Sequence, residues 1–293
     1  CRGQRGVHGA LVLGSAANDR AVDALSDLDL MVITTSRRRL SSLEWLELSD
    51  FPLLFSWTYD SPLGGQNVHQ LIYDGPLVVD LAFVSSAQAF LLGTGVQALA
   101  HSPLLRRRLP PSLKSQIDAW LAIAGRGTTV LFDRAGLARR IAISPAPMSP
   151  KRPTQGDYLN TVYSLFGLLL WESKQIVRGE LWMAIGTVDH QVKTCLLTMM
   201  EWHAMATNPQ LGDTWYGGRR VDEWANPKWA TAIRHTWPSY DAAQAWDALF
   251  ATLELFSDVS AETARLLGYQ YPAPDERRVR SWITSRREAS SAE

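Results

Sequence analysis

The sequence predicts an α+β protein, with a mixed β-sheet and flanking helices in the N-terminal half and an all-α domain after it. Three observations predict this class. Short apolar runs separated by Gly, Pro and Asp signals fill residues 7–84. Apolar residues recur at helical spacing from residue 157 onward. Four prolines in the ten positions 144–153 separate the two patterns.

The spacing of apolar residues and the positions of Gly, Pro and Asp predict the elements of the N-terminal half. Residues 7–34 read as a strand, a tight turn and a second strand, and residues 40–48 as a helix. The later predicted strands are 53–57, 68–73, 78–84 and 130–134, and the predicted helices are 86–99 and 112–124. Strands mixed with helices imply a sheet covered by helices.

The proline-rich segment marks a domain boundary. We predict a first domain with the mixed sheet at residues 1–143, a linker at 144–154, a helical domain at 155–272 and a loose polar tail at 273–293. Helices are expected at 157–206, with a joint near Gly179, and at 222–236 and 241–267. Asp241 is the expected N-cap of the last helix, and Gly268 follows its C-terminus.

Composition excludes several classes of protein. A chain of 293 residues that is 46% hydrophobic and 20% charged can build two domains, each with its own core. No apolar run reaches the ~18 residues of a membrane span, and no signal peptide is visible. Two cysteines are too few for a disulfide framework. We therefore expect a cytoplasmic protein without a membrane partner. Because the chain begins with Cys1, we also expect that some native N-terminal residues precede it.

The charge distribution bears on the partner. A net charge of zero argues against a nucleic-acid partner. Residues 155–276 nevertheless contain 15 acidic and 8 basic side chains. This acidic balance suits a region that receives a cationic small molecule, and it equally suits helices that carry acidic side chains on solvated faces. The sequence leaves both readings open, and it does not predict an oligomeric state.

The strongest chemical signal lies in the first predicted strand, turn and strand. An apolar run ends at Gly14 and Ser15, and Asp27 and Asp29 enter the second run after a gap of eleven residues. Side chains alternate along a strand, so the two aspartates project from the same side. Paired carboxylates suit Mg²⁺, and a Gly-Ser turn allows close backbone approach to phosphate oxygens.

A third carboxylate follows on a later predicted strand. Asp80 is the only charged residue between Gly75 and Val84. An ionised carboxylate in an apolar strand is costly unless it is hydrogen-bonded, paired or bound to a metal. Asp80 is therefore a candidate third member of the acidic site.

The Gly14-Ser15 turn, the eleven-residue gap and the Asp27-x-Asp29 pair, with Asp80 alone on a later strand, resemble the signature of the polymerase-beta-type nucleotidyltransferase superfamily. The helical half narrows this resemblance. It is similar to the C-terminal domain of the aminoglycoside 6-adenylyltransferases, also called streptomycin adenylyltransferases, and the likeness spans most of residues 9–272. The segments that carry it are Lys174–Leu181, Leu196–Trp202, Ala245–Phe250, Glu254–Phe256 and Leu267–Pro272.

This chain departs from the family pattern at two positions. Ala16 stands where the family tends to have Arg, and Arg219 follows Gly218 where Gly-Lys is usual. Arg in place of Lys keeps the charge and changes the donor geometry. The segment between the acidic strands, which contains Trp57 and Tyr59, matches no family pattern.

The resemblance implies transfer of AMP from ATP to a hydroxyl group, with Mg²⁺ as cofactor. It implies that Asp27, Asp29 and Asp80 bind the metal, and that Asp80 also orients or deprotonates the hydroxyl. Glu180 is a further candidate general base, although on a regular helix it would point away from Arg178; a break at Gly179 would relieve that conflict. The predicted nucleotide contacts are Gly14, Ser15, Asn18, Lys174 and Arg178.

Lys174 and Arg178 are four residues apart and share a helical face, so without the resemblance they would be interpreted as a solvated pair.

The leading hypothesis is an adenylyltransferase that inactivates a streptomycin-like aminoglycoside. One alternative is the same chemistry on another small hydroxylated acceptor, such as a lincosamide. A second alternative is an inactive protein of the same fold that only binds a nucleotide or an antibiotic.

Overall fold

The computed structural model describes residues 3, 5–17, 26–36, 52–61, 67–75, 77–101, 110–125, 127–142, 152–211, 214 and 216–291. The chain divides into two compact units, Cys1–Pro147 and Met148–Glu293. The helix predicted at 40–48 and the part of the predicted linker before Arg152 lie outside the described residues, and both stay predictions.

The described part of the first unit contains six strands: β1 (Val7–Leu13), β2 (Leu28–Thr34), β3 (Leu53–Asp60), β4 (Asn67–Tyr73), β5 (Val78–Ser85) and β6 (Thr128–Asp133). They form one sheet with the order β3-β4-β5-β2-β1-β6. Strands β2 and β5 run parallel, and the other neighbours run antiparallel. The sheet is therefore mixed, as the sequence predicts.

Alternation along the strands builds two apolar clusters, one on each sheet face. On one face, Leu11, Met31, Ile33 and Val84 belong to a buried cluster with residues of three helices. These helices are α1 (Ser86–His101), α2 (Pro111–Ala124) and α3 (Leu137–Ile141). Residues of the alternate positions form the cluster on the opposite face: Val7, Ala10, Val32, Leu71, Tyr73, Val79, Leu81 and Phe83.

The second unit is helical throughout its described elements. The α-helices are α4 (Gln155–Val177), α5 (Leu181–Met183), α6 (Asp189–Thr207), α7 (Val221–Trp224), α8 (Pro227–Ile233), α9 (Ala242–Leu267) and α10 (Ala273–Ser291). Together with the mixed sheet of the first unit, this confirms the predicted α+β class. No helix in the described residues combines the length and apolar character that crossing a membrane requires.

Caps define the ends of the long helices. Thr154 and Asp157 form a reciprocal capping box at the start of α4. Asp241 accepts a hydrogen bond from the Gln244 amide at the start of α9, and Gly268 ends that helix with φ 75°. Both roles predicted for Asp241 and Gly268 are confirmed.

The predicted joint near Gly179 is a break in the helix. Gly179 has φ 72°, a left-handed conformation that costs glycine little. Helix α4 ends at Val177, and after α5 one turn of π-helix, Ala184–Val188, leads into α6. The helix predicted at 222–236 is also divided, because Pro227 lacks an amide proton and begins α8 behind the Asn226 N-cap.

A cluster of charged side chains is buried in the helical core. Glu172 of α4 is 1% exposed, and Asp189 and Lys193 of α6 are buried beside it. Lys193 donates to Asp189 and lies 3.4 Å from Thr252 Oγ1 and 5.3 Å from the ring centroid of Trp237. Burial raises the pKa of Glu172 to about 8; the Asp189 carboxylate adds to the rise, and Lys193 opposes it.

The predicted loose polar tail at 273–293 is wrong, because residues 273–291 form helix α10. Val279 and Ile283, one turn apart, are buried in the apolar core of the second unit. Arg286 donates to the Leu170 carbonyl and to Ser173 Oγ at 3.0 and 2.7 Å. The large apolar residues of this segment, Val279, Trp282 and Ile283, span a single turn among many charges, which is too short a stripe to predict a helix from the sequence, and tertiary packing makes the segment regular.

Candidate active site

The Gly-Ser turn lies directly against one of the predicted carboxylates. Gly14 begins a short 3₁₀ turn, Gly14–Ala17, after β1, and its amide donates to the Gly127 carbonyl. Its φ is 69°, and a Cβ atom at this position would lie 2.9 Å from Asp29 Oδ2. Both the backbone conformation and the close approach of Asp29 therefore require glycine here.

Asp29 and Asp80 are direct neighbours in the parallel pair of β2 and β5. Paired residues on adjacent strands point to the same sheet face, and strands lie about 4.8 Å apart. Both carboxylates thus lie on the face that carries Met31 and Val84, and both side chains are partly buried. The sheet register brings together two acids that are far apart in the sequence.

Both oxygens of Asp80 accept hydrogen bonds, one from the adjacent strand β4 and one from β3 beyond it. Tyr59 of β3 donates its hydroxyl to Oδ2 at 2.9 Å, and Gln70 of β4 donates its amide to Oδ1 at 2.9 Å. Trp57 Nε1 donates to Gln70 Oε1 at 2.7 Å. Asp80 is therefore stabilised by specific donors, which meets the requirement for a carboxylate in an apolar strand.

The third predicted carboxylate, Asp27, is exposed and precedes β2. Burial and the hydrogen bond to Asp80 raise the pKa of Tyr59, and the charges of Asp80, Asp29 and Asp27 raise it further. Of the three carboxylates, only Asp80 is hydrogen-bonded to the Tyr59 hydroxyl, and the charges of Asp29 and Asp27 act on it from a greater distance. Tyr59 remains a neutral hydrogen-bond donor.

The donor set fits a hard divalent cation. Among the described residues, no group of three or more Asp, Glu, His or Cys side chains converges closely enough to form a complete metal site. Mg²⁺ usually takes one or two protein carboxylates and completes its coordination with water and substrate phosphates. The neighbouring carboxylates Asp29 and Asp80 suit that mode of binding.

The remaining predicted site residues are Ser15, Asn18, Lys174, Arg178 and Glu180. Ser15 follows Gly14 in the 3₁₀ turn and is partly exposed, whereas Asn18 lies outside the described residues. Lys174, Arg178 and Glu180 belong to the second unit, where all three are exposed. Their predicted roles stay predictions.

Glu180 follows the break at Gly179, so the helical geometry that would direct it away from Arg178 does not apply. The Gln175 amide connects it to α4. In the amide orientation that satisfies all groups, Gln175 accepts from Trp171 Nε1 at 2.6 Å and donates to Glu180 Oε2 at 2.8 Å. The same sequence of Trp, Gln and carboxylate thus occurs in each unit.

Sequence reasoning missed Gln70 and Tyr59 as partners of Asp80. The available signal was alternation: Trp57 and Tyr59 share one face of β3, as Gln70 and Asp80 share one face of their pair. That pattern shows which residues share a face of one strand. It does not show which residue of the next strand lies opposite.

Asp29 and Asp80 lie on adjacent strands, and Gly14 of the Gly-Ser turn lies against Asp29. The comparisons with known proteins give the class of the chain. The model of the family described as streptomycin adenylyltransferase matches residues 113–286, more than half of the chain. The chain belongs to the streptomycin adenylyltransferase family. It is therefore a nucleotidyltransferase of the aminoglycoside adenylyltransferase type.

Solved structures give more distant similarities. An aminoglycoside 6-adenyltransferase from Bacillus subtilis is 15% identical, with a TM-score of 0.45, over 97% of this chain and 93% of that chain. A nucleotidyltransferase-like protein from Exiguobacterium sibiricum is 12% identical, with a TM-score of 0.26, over 90% of this chain and 73% of that chain. No curated protein sequence matches the chain significantly.

Proposed function

We propose that the protein transfers AMP from ATP to a hydroxyl group of a streptomycin-like aminoglycoside, and that the transfer depends on Mg²⁺. The observation that carries this proposal is the in-register pair of Asp29 and Asp80 beside Gly14, in a chain of the streptomycin adenylyltransferase family. The acidic balance of residues 155–276 is consistent with a cationic acceptor.

In the proposed reaction, the acceptor oxygen forms a bond to the α-phosphorus of ATP, and the bond to the β-phosphate oxygen breaks to release pyrophosphate. Negative charge develops on the phosphate oxygens. Asp29, Asp80 and Asp27 would hold Mg²⁺, which supplies electrostatic stabilisation of that charge when it is bound. Gly14 permits close approach of the chain to the phosphates because it carries no side chain.

Asp80 has a second proposed role. A carboxylate whose two oxygens are held by Tyr59 and Gln70 has a defined orientation, which suits it to orient the acceptor hydroxyl and accept its proton. Glu180 is the alternative base that the family resemblance names. Glu180→Gln distinguishes them, because Glu180 is not among the proposed metal ligands: a large loss of kcat would assign the base to Glu180, and wild-type activity would leave Asp80 as the base. Loss of activity in Asp80→Asn would follow from either of its two proposed roles.

The test is incubation of the protein with α-³²P-labelled ATP, Mg²⁺ and a panel containing streptomycin, other aminoglycosides and a lincosamide. We expect labelled streptomycin and pyrophosphate from the wild-type protein. Loss of at least 100-fold is expected for Asp29→Asn, because a metal-binding charge is removed. Asp74→Asn, in an exposed turn of the same unit, is the matched control.

Two outcomes would contradict the proposal. If only a lincosamide becomes labelled, the acceptor is a lincosamide and not an aminoglycoside. Tight ATP binding without label on any acceptor, unchanged in Asp29→Asn, would indicate a protein that only binds the nucleotide.

A further inference from the structure

The hydrogen bonds around Asp80 form a directed chain across three strands. Trp57 lies on β3, Gln70 on β4 and Asp80 on β5, and the register pairs Trp57 with Gln70 and Gln70 with Asp80. Each contact is 2.9 Å or shorter. All these side chains extend from regular strands on one face of the sheet. The sheet backbone therefore holds this series of hydrogen bonds in place.

The series of hydrogen bonds from Trp57 through Gln70 to Asp80 has only one consistent direction of donation. An indole N–H can only donate, so Trp57 requires the Gln70 oxygen to face it. The Gln70 nitrogen must then face Asp80, where it donates to Oδ1. If the amide were reversed, its oxygen would oppose a carboxylate oxygen and its NH₂ group would oppose the indole N–H. Trp57 therefore determines how Gln70 meets Asp80.

Tyr59 completes the arrangement from the other side. Its hydroxyl donates to Oδ2 at 2.9 Å, so each Asp80 oxygen receives one protein donor. Because an ionised carboxylate has about four acceptor sites, each oxygen can also take a metal or a hydroxyl group beside its protein donor. Donors on both oxygens prevent the carboxylate plane from rotating.

We propose that Tyr59 and Gln70 are positioning residues that orient Asp80 for Mg²⁺ binding, and that Trp57 acts through Gln70. This inference rests on the proposed function, because it assigns Asp80 to the metal. Hydrogen-bonding partners of metal ligands typically change metal affinity or activity by roughly 10- to 100-fold when they are removed. The three residues would thus control catalysis without touching the substrate.

The competing explanation is structural, since the same hydrogen bonds connect β3, β4 and β5 and could serve only to stabilise this side of the sheet. A structural role predicts that each variant loses stability but keeps the wild-type affinity for Mn²⁺. A positioning role predicts weaker metal binding that depends on Asp80. A double-mutant cycle separates the two explanations.

The experiment measures Mn²⁺ binding by electron paramagnetic resonance, in the presence of α,β-methylene-ATP, together with thermal unfolding. The variants are Tyr59→Phe, Gln70→Met and Trp57→Phe, each alone and combined with Asp80→Asn. We expect Tyr59→Phe and Gln70→Met to weaken Mn²⁺ binding about 10- to 100-fold. Trp57→Phe should have a smaller effect, because it acts through Gln70.

In the Asp80→Asn background, the same substitutions should change Mn²⁺ affinity by less than about twofold. Tyr73→Phe is the matched control, since Tyr73 is buried on the opposite sheet face; it should leave Mn²⁺ binding unchanged. In the transfer assay, kcat/KM should fall in Tyr59→Phe and Gln70→Met in parallel with the loss of Mn²⁺ affinity, and Tyr73→Phe should keep the wild-type value.

Three results would overturn the inference: no Mn²⁺ binding by the wild-type protein, wild-type affinity in Tyr59→Phe and Gln70→Met, or equal losses with and without Asp80. Failure of the proposed function looks different. In that case the wild-type protein binds Mn²⁺ with the nucleotide analogue, the variants weaken this binding through Asp80, and AMP is not transferred to any acceptor.

Discussion

Replacement of Glu172 by Gln should stabilise the protein, and the gain should depend on pH. Glu172 is 1% exposed, and its Oε2 atom has no hydrogen-bond partner in the described part of the chain. Burial raises its pKa from 4.5 to about 8. Between these values the folded protein keeps a proton that the unfolded chain releases, so the free energy of unfolding falls as pH rises.

The magnitude follows from the two pKa values. One pH unit corresponds to about 1.4 kcal/mol, so at pH 7 the retained proton costs roughly 3 kcal/mol of stability. Below about pH 4 both states are protonated and the cost disappears, and above pH 8 it reaches its limit. Gln stays neutral in both states. We therefore expect Glu172→Gln to be more stable by roughly 2–4 kcal/mol at pH 7 and equal to wild type near pH 4.

Asp189 belongs to the same cluster and affects the result in the same direction. Burial raises its pKa, while Lys193 opposes the rise. Its own proton uptake also makes stability fall as pH increases, and Glu172→Gln removes the repulsion between the two carboxylates. The variant should therefore keep a shallower slope with pH than the wild type.

Urea unfolding followed by tryptophan fluorescence between pH 4 and pH 8.5 measures this effect. Nine of the twelve tryptophans follow residue 148, so the signal reports mainly the helical unit. Glu254→Gln is the control, because Glu254 is exposed on α9 and should keep the wild-type pH dependence. An equal stability difference at pH 4 and pH 8 would refute a retained proton on Glu172.

Substitutions at Gly14 and Thr154, each with a control variant, test the Gly-Ser turn and the N-cap of α4. Gly14→Ala should cost about 1–2 kcal/mol in unfolding free energy, because φ is 69°, and should reduce kcat/KM at least 10-fold, because the new Cβ displaces Asp29. At Gly268, φ is 75° and an added Cβ would have no neighbouring atom within 4 Å, so Gly268→Ala should lose stability in thermal melts but keep activity. Thr154→Ala should destabilise the helical unit by about 1 kcal/mol, and Thr154→Ser should restore most of it; equal melting of both variants would exclude the cap with Asp157.

The helices with strong local signals were predictable from the sequence. Asp241 and Gly268 bound α9 because capping and left-handed φ depend on residues within one turn. Gly179 breaks α4 for the same local reason. Helix α10 was not predicted, since its apolar stripe of Val279, Trp282 and Ile283 is only one turn long. Burial of Val279 and Ile283 in the core and the hydrogen bonds of Arg286 to α4 stabilise it.

The sequence alone determined the acidic residues of the candidate site and their surroundings in the chain, because strand alternation and turn chemistry are local properties. The tertiary structure decided which acids and donors meet. Asp29 lies beside Asp80, and Tyr59 and Gln70 reach Asp80, only through the register of neighbouring strands. Register depends on packing and hydrogen bonds between distant segments, so the partners of a carboxylate become visible only in the folded sheet.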